Sequence, residues 1–294
     1  MANLKEIRNR IVSVSSTRQI TSAMKMVSAA KLKKAQDAIT EMRPYSNKLQ
    51  EILQNVSSSL DSSENVYAQE KEVKNLLVVG ITSNRGLCGG FNNNVIKAAK
   101  NIAEKEEYKN CNVTVLSIGK KIKDALKNSE LAIQGTLLPR DLEKIWDDLN
   151  YAASSEIAEM LMKQFTEGHI DKIILVYNQF KNAAVQEVQA EQFLPIVPSA
   201  SDAESSASSD YLYEPNKTQI LEDLIPKSLK TQLFKALLDS QASEHGARMT
   251  AMHKATDNAS DLIDELKLIY NKARQAAITN EILEIVGGAE ALKN

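Results

Sequence analysis

The chain reads as a mixed α/β architecture: two long helices, one at each end, with an α/β domain inserted between them. Three observations predict it. From His245, small and apolar residues recur at alternating steps of four and three: His245, Met249, Met252, Thr256, Ala259, Ile263, Leu266, Tyr270, Ala273 and Ala277. Near the N-terminus Leu4, Ile7, Ile11 and Val14 step in the same way. Between the ends the period changes to short leucine and β-branched runs bounded by turn residues. A 3.5-residue repeat keeps one stripe of a helix facing a partner helix. The two ends therefore predict a coiled coil in which they pair with each other.

The first helix is expected from about Asn3 to the serines at 57–59, on the order of 80 Å at the standard rise. Thr17, Arg18 and Thr21 break its seam, which resumes at Met24 and Val27 and continues through Ala35, Ile39, Met42, Tyr45, Leu49, Ile52 and Val56. Pro44 lies inside, removes one helical hydrogen bond and predicts a kink. Residues 1–50 carry ten basic and three acidic side chains, a net +7 in a chain whose total is −2. Such a helix suits an acidic protein surface, anionic lipid or nucleic acid. Nucleic acid is the weakest of these, because stacking aromatics are scarce on the helix.

Leu76–Ile81 is a short apolar run, as in a strand buried on both faces. A glycine-rich turn follows, then a helix expected over 94–107. Val113–Ile118 is a second strand and Lys120–Lys127 a short helix. Residues 141–167 are amphipathic and predict one helix. Ile173–Tyr177 is a third strand, and 184–193 alternates as an edge strand before Pro195. Alternating strand and helix predict a three-layer, Rossmann-like α/β unit with a mostly parallel sheet. Residues 199–210, rich in serine and acid, predict a mobile loop. Pro226 suits the first turn of the last helix, which would run to Val286, about 90 Å, with Gly287-Gly288 ending it or loosening its tip. The segments are then 1–60, 74–196 and 210–287.

A hydrophobic content of 43% supports a real core. Cys88 and Cys111 lack metal spacing and fit a reducing compartment. No signal core and no apolar run of membrane-spanning length is seen, so a soluble protein is expected. His245 and His253, eight residues apart on one helix, read as ordinary helix residues, and no Walker sequence or catalytic triad is present. Arg85-Gly86-Leu87-Cys88-Gly89-Gly90 sits where α/β folds bind phosphate, but its spacing fits no phosphate-binding motif; Arg85, Gly86, Gly89 and Gly90 read as a structural turn. No catalytic residue, metal or cofactor is expected. The alternating small and polar residues of the seams keep the helix pair slender and direct function to its outer surface. From the residues alone, a coiled-coil structural adaptor and a small phosphate-binding enzyme centred on 85–90 stay open as readings.

Three separated stretches carry a resemblance: 5–31, through Thr21-Ser22-Ala23-Met24-Lys25-Met26-Val27; 85–90; and the C-terminal helix, through Ala247-Arg248-Met249-Thr250-Ala251-Met252, Ala255-Thr256-Asp257-Asn258-Ala259 and 270–279. They resemble the gamma subunits of F-type ATP synthases, over the whole chain. The resemblance implies a rotor shaft. In that family the terminal helices form an asymmetric antiparallel coiled coil inside a ring of three alpha and three beta subunits. The α/β insert lies outside the ring near the membrane. Proton flow turns a ring of c subunits, and the shaft drives the beta sites through different affinities for ATP synthesis. No subunit-level catalysis, cofactor or nucleic acid is implied. The protein would sit peripherally on the cytoplasmic face of the bacterial plasma membrane. Residue by residue, Met24, Lys25, Arg248, Arg274, Gln275 and Thr279 match rotor–stator contacts. Ile282, Ile285 and Val286 match the bearing tip. Tyr211, Tyr213 and Glu214 match the foot that meets the epsilon subunit and the c ring. The regulatory cysteine insert of chloroplast relatives is not seen, so redox control of that kind is not expected.

Overall fold

The computed structural model describes residues 4–57, 66–69, 71–133, 138–139, 142–196 and 217–291. Helix α1 spans Leu4–Ser57 and helix α5 spans Lys217–Ala291. Between them lie β1 (Asn75–Ile81), α2 (Phe91–Ala103), β2 (Asn112–Ile118), α3 (Lys120–Leu126), α4 (Tyr151–Thr166), β3 (Lys172–Phe180) and β4 (Gln186–Leu194). The chain divides into two compact units. One comprises residues 1–28 and 248–294, and the other residues 29–247.

The larger unit is built on a four-stranded sheet of order β2-β1-β3-β4. The first three strands are parallel and β4 runs antiparallel to β3 at the edge. β1 is buried at every position after Asn75, as its unbroken apolar run requires. Its side chains alternate between two cores. Leu76 and Val78 meet Val95, Ala99 and Ile102 of α2 and Ile122 and Leu126 of α3. Leu77, Val79 and Ile81 meet Ile157, Leu161 and Phe165 of α4 and Leu229, Leu233 and Leu237 of α5. A leucine-to-alanine change at a site as buried as Leu233 costs about 2–5 kcal/mol. Gly80 lets α3 close on the sheet: a Cβ there would run into Ile122 Cδ1. Gly119 has φ of 106° and lies against the Thr82 carbonyl, so only glycine fits.

Several boundaries differ from the sequence reading, each for a local reason. α2 starts at Phe91 rather than 94 and ends at Ala103, with Glu106–Tyr108 forming a separate 3-10 turn. The expected helix over 141–167 is interrupted. Glu143–Trp146 is a 3-10 turn, and α4 begins afresh where the Asn150 side chain accepts from Ala153 N at 2.9 Å. β4 starts at Gln186 because Asn182 Oδ1 ties down Ala184 N and Val185 N in a turn. α5 begins at Lys217, ahead of Pro226. The proline is carried inside the helix, where Ile225 and Leu229 are buried on either side of it. α5 also continues through Gly287-Gly288 to Ala291, and α1 stays helical through Pro44. The loop expected over 199–210 lies outside the described residues.

The seam of α1 also differs. Val27 and Tyr45, expected on it, are 58% and 54% exposed. Thr21, Ser28 and Ser46 are buried instead, on the same alternating steps as Ile7, Leu32, Ala35, Ile39 and Leu49. The heptad is continuous; three of its buried positions are polar.

Candidate functional site

In the smaller unit α1 and α5 pair directly. Thr21 Oγ1 and Thr256 Oγ1 lie 2.8 Å apart. Thr256 also reaches Met252 O at 2.7 Å and Thr21 reaches Arg18 O at 3.0 Å. Thr21 donates to Arg18 O, and the single Thr256 proton goes either to Thr21 Oγ1 or to Met252 O. Ser28 Oγ donates to Met24 O at 2.7 Å, which settles its hydroxyl within its own helix. Lys25 Nζ approaches His253 Nδ1 at 3.4 Å. As the chain advances from Thr21 to Lys25 its partner retreats from Thr256 to His253, so the pairing is antiparallel. On α5 the seam is Met252, Ala259, Ile263 and Leu266, all buried, flanked by half-buried Met249, Thr256, Tyr270, Ala273 and Ala277.

That register brings Leu4 near Ala273, so α5 outruns the start of α1. Beyond this point the apolar side chains lose their partner. Ile278, Ile282, Leu283, Ile285 and Val286 are all exposed. Arg274, Gln275 and Thr279 are exposed as well, and Thr279 Oγ1 donates back to Gln275 O at 2.9 Å. Met24 and Lys25 are half-buried at the pair, with Met26 64% exposed beside them. Arg248 is buried. Among the described residues, twelve of the seventeen exposed large apolar side chains belong to this unit, which makes it the face that expects a partner.

In the larger unit, residues 85–90 form a turn locked from inside. Ser83 N and Oγ both donate to Asn92 Oδ1, at 2.9 and 3.0 Å, or Ser83 Oγ donates to Arg85 O at 2.6 Å. Asn92 Nδ2 reaches Cys88 Sγ at 3.1 Å, and Cys88 packs with Phe91 and Ala247. Leu87 and Gly89 take φ of 62° and 59°, a conformation glycine adopts freely and leucine seldom. Thr82 Oγ1 and Asn84 Oδ1 accept from Ile122 N and Lys120 N, so the residues after β1 cap α3. An open cleft of about 470 Å³ lies beside the turn, lined by Leu87, Asn92, Lys121 and Asp124 among others. No cluster of metal-ligating side chains occurs among the described residues. Tyr211, Tyr213 and Glu214 lie outside them.

Sequence reading had missed Thr21, Ser28 and the Lys25–His253 contact. The signal was available: the four-three steps run through 21, 25 and 28 once polar residues are admitted to the seam.

Fold and surface together define a class: a coiled-coil shaft protein that carries an α/β module and presents the outside of its helix pair. The comparisons with known proteins narrow the class. A family model described as ATP synthase matches residues 3–292. The ATP synthase gamma chain of Christiangramia forsetii is 62% identical over 293 residues, 99% of each chain. That of Flavobacterium psychrophilum is 61% identical over the full length of both. Among solved structures, a chain of the central stalk/c-ring structure of Tetrahymena thermophila mitochondrial ATP synthase matches with a TM-score of 0.58, at 25% identity over 80% of this chain and 99% of that one. A chain of the OSCP/F1/c-ring structure of the Euglena gracilis enzyme shares the fold, with a TM-score of 0.67 at 21% identity over 98% and 94%. The chain belongs to the ATP synthase gamma chain family, and is a non-catalytic subunit of the central stalk.

Proposed function

We propose that this chain turns inside a ring of three alpha and three beta subunits and couples proton-driven rotation of a c ring to ATP synthesis at the beta sites. The single observation that carries the reading is the concentration of exposed apolar side chains on the smaller unit, far more than an isolated helix pair should leave to water. A shaft works by differential binding. Each orientation must stabilise one state of a beta site over the others, so its surface has to be uneven and its contacts weak enough to break. The basic α1 fits the second need. Its charges attract an acidic lever segment of beta through a screened, non-directional field that does not lock one angle.

Lys25, with Met24 and Met26 beside it, is proposed to face that segment. Arg274 and Gln275 offer exposed donors that read a carboxylate or carbonyl on one beta conformation, and Thr279, whose proton goes to Gln275 O, offers its hydroxyl oxygen as an acceptor beside them. Contact through Arg248 requires its buried side chain to be drawn outward. Ile282, Ile285 and Val286 are proposed as the tip seated in an apolar sleeve. The foot at Tyr211, Tyr213 and Glu214 is proposed to meet epsilon and the c ring. The turn at Arg85, Gly86, Gly89 and Gly90 keeps a structural role, held by Ser83 and Asn92. No helix among the described residues is long and apolar enough to cross a membrane. The proposed location is accordingly peripheral, on the cytoplasmic face of the plasma membrane, through the complex.

The test replaces Arg274 and Gln275 together by alanine. ATP synthesis in energised membrane vesicles should fall about tenfold, the loss of one or two charge-assisted bonds per step, while the amount of assembled complex is unchanged. Wild-type synthesis in that variant would overturn the assignment.

A further inference from the structure

His253 stands on the exposed flank of the helix pair, and its Nδ1 has two neighbours. Lys25 Nζ lies 3.4 Å away on α1, and Asp257 Oδ2 lies 3.3 Å away one turn along α5. The two need the same nitrogen in opposite states. An ammonium only donates, so the lysine requires the Nδ1 lone pair. A carboxylate only accepts, so the aspartate requires Nδ1–H. Neutral imidazole with its proton on Nε2 serves the lysine. Imidazolium serves the aspartate and turns a positive ring toward Lys25.

We propose that His253 is a positioning residue for Lys25: neutral, it holds the ammonium across the helix pair, and protonated, it turns to Asp257 and releases the lysine toward an acidic peptide surface of the stator. The partner swap stands on this geometry alone. Its consequence for coupling rests on the reading of Lys25 as a rotor–stator contact.

The charged surroundings do not disturb the logic. On α1 the residues within one turn of Lys25 are Thr21, Ser22, Ser28 and Ala29, none of them charged. On α5 the charged neighbours are Asp257, the second partner already named, and Lys254, which follows in sequence and is exposed. Met249 and Thr256 complete the turn on either side. An imidazole is the side chain whose charge mild acidification can change, so the swap is read by comparing an acidic with an alkaline solution. His253 and Asp257 are more than half exposed, so the effect is modest and reversible rather than an all-or-none latch.

The test has two arms. In the first, the isolated full chain is acylated with an amine-reactive ester, and the labelling of Lys25 is divided by that of Lys31, which cancels the pH dependence common to lysines. The ratio should rise about threefold from pH 8 to pH 6 in the wild type. It should stay flat and low in His253→Gln, whose amide oxygen accepts from Lys25 at every pH, and flat and high in His253→Lys, a permanent cation. A wild-type ratio that ignores pH overturns the proposal. In the second arm, proton pumping per ATP hydrolysed is followed over the same range in the assembled complex. Wild type should depart from His253→Gln by about twofold at the acidic end and meet it at the alkaline end. A labelling ratio that moves while pumping in the two forms stays identical at every pH leaves the swap standing and removes Lys25 from the stator contact.

Discussion

Asp239 is a carboxylate with almost no access to water, so its neighbours decide its charge. Its side chain is 1% exposed, and Oδ1 lies 3.7 Å from Arg43 Nη2, which also donates to Phe180 O at 3.3 Å. Burial pushes its pKa up; the Arg43 and Lys235 charges pull it back without cancelling that push. A carboxyl whose folded pKa is raised binds its proton more tightly folded than unfolded. Its contribution to stability is therefore complete at low pH and is lost as pH rises through the folded value. The amide of Asp239→Asn mimics the protonated form at every pH. Its stability relative to wild type should improve as pH rises from about 5 to 8, measured by urea unfolding. A difference that does not vary with pH would mean that Arg43 compensates the charge fully. Arg43→Ala should act oppositely. It strips the counter-charge from a buried anion and should cost about 1–3 kcal/mol, more at pH 8 than at pH 5. The neighbouring Tyr177 does not join this titration. Burial, then the Glu191 carboxylate it donates to at 2.9 Å, holds its phenol neutral throughout.

At the scale of the element, the helix pair uses hydroxyls where a stronger coiled coil would use leucine. Thr21 and Thr256 touch, yet each also holds a carbonyl of its own helix, so the worth of the direct bond is an experimental question. A double-mutant cycle with Thr21→Val and Thr256→Val should return a coupling of about 0.5–1 kcal/mol, and the double variant should lie close to wild type because both polar groups leave together. Zero coupling would assign both hydroxyls to their own helices. These positions also mark the limit of what the sequence made legible. Apolar spacing revealed two long helices and three buried strands. It placed the α5 seam correctly from Met252 to Leu266, where Thr256 is the one polar position among Met252, Ala259, Ile263 and Leu266. On α1 apolar spacing points one residue off, to Val27 and Tyr45, because the neighbours that are truly buried are Ser28 and Ser46. The edge strand's antiparallel direction was not legible, since alternation fixes a face and not a sense. The early start of α5 was hidden by Pro226, whose local preference yields to burial of Ile225 and Leu229 around it.

At the scale of the whole molecule, burial is unevenly shared: the sheet-based unit encloses its core, while the helix pair buries a narrow seam and leaves twelve large apolar residues exposed. Ile282, Leu283, Ile285 and Val286 are the extreme case, at 55%, 63%, 71% and 53% exposed on a single helix that has outrun its partner. Such residues contribute little to the stability of their own chain, because most of their apolar surface stays in water within it. If they seat in a sleeve of the surrounding subunits, their contribution must appear only in the assembly. Deleting residues 282–294 separates the two cases. The unfolding midpoint of the isolated chain should move by less than about 2 °C. The assembled complex should lose several degrees and dissociate at lower temperature, since four apolar side chains would forfeit burial worth about 1.5–3 kcal/mol each at full enclosure. Equal losses in chain and complex would show that the tip supports its own helix pair. An unaltered complex would remove the bearing from the account of this shaft and leave torque to the contacts nearer Lys25 and Arg274.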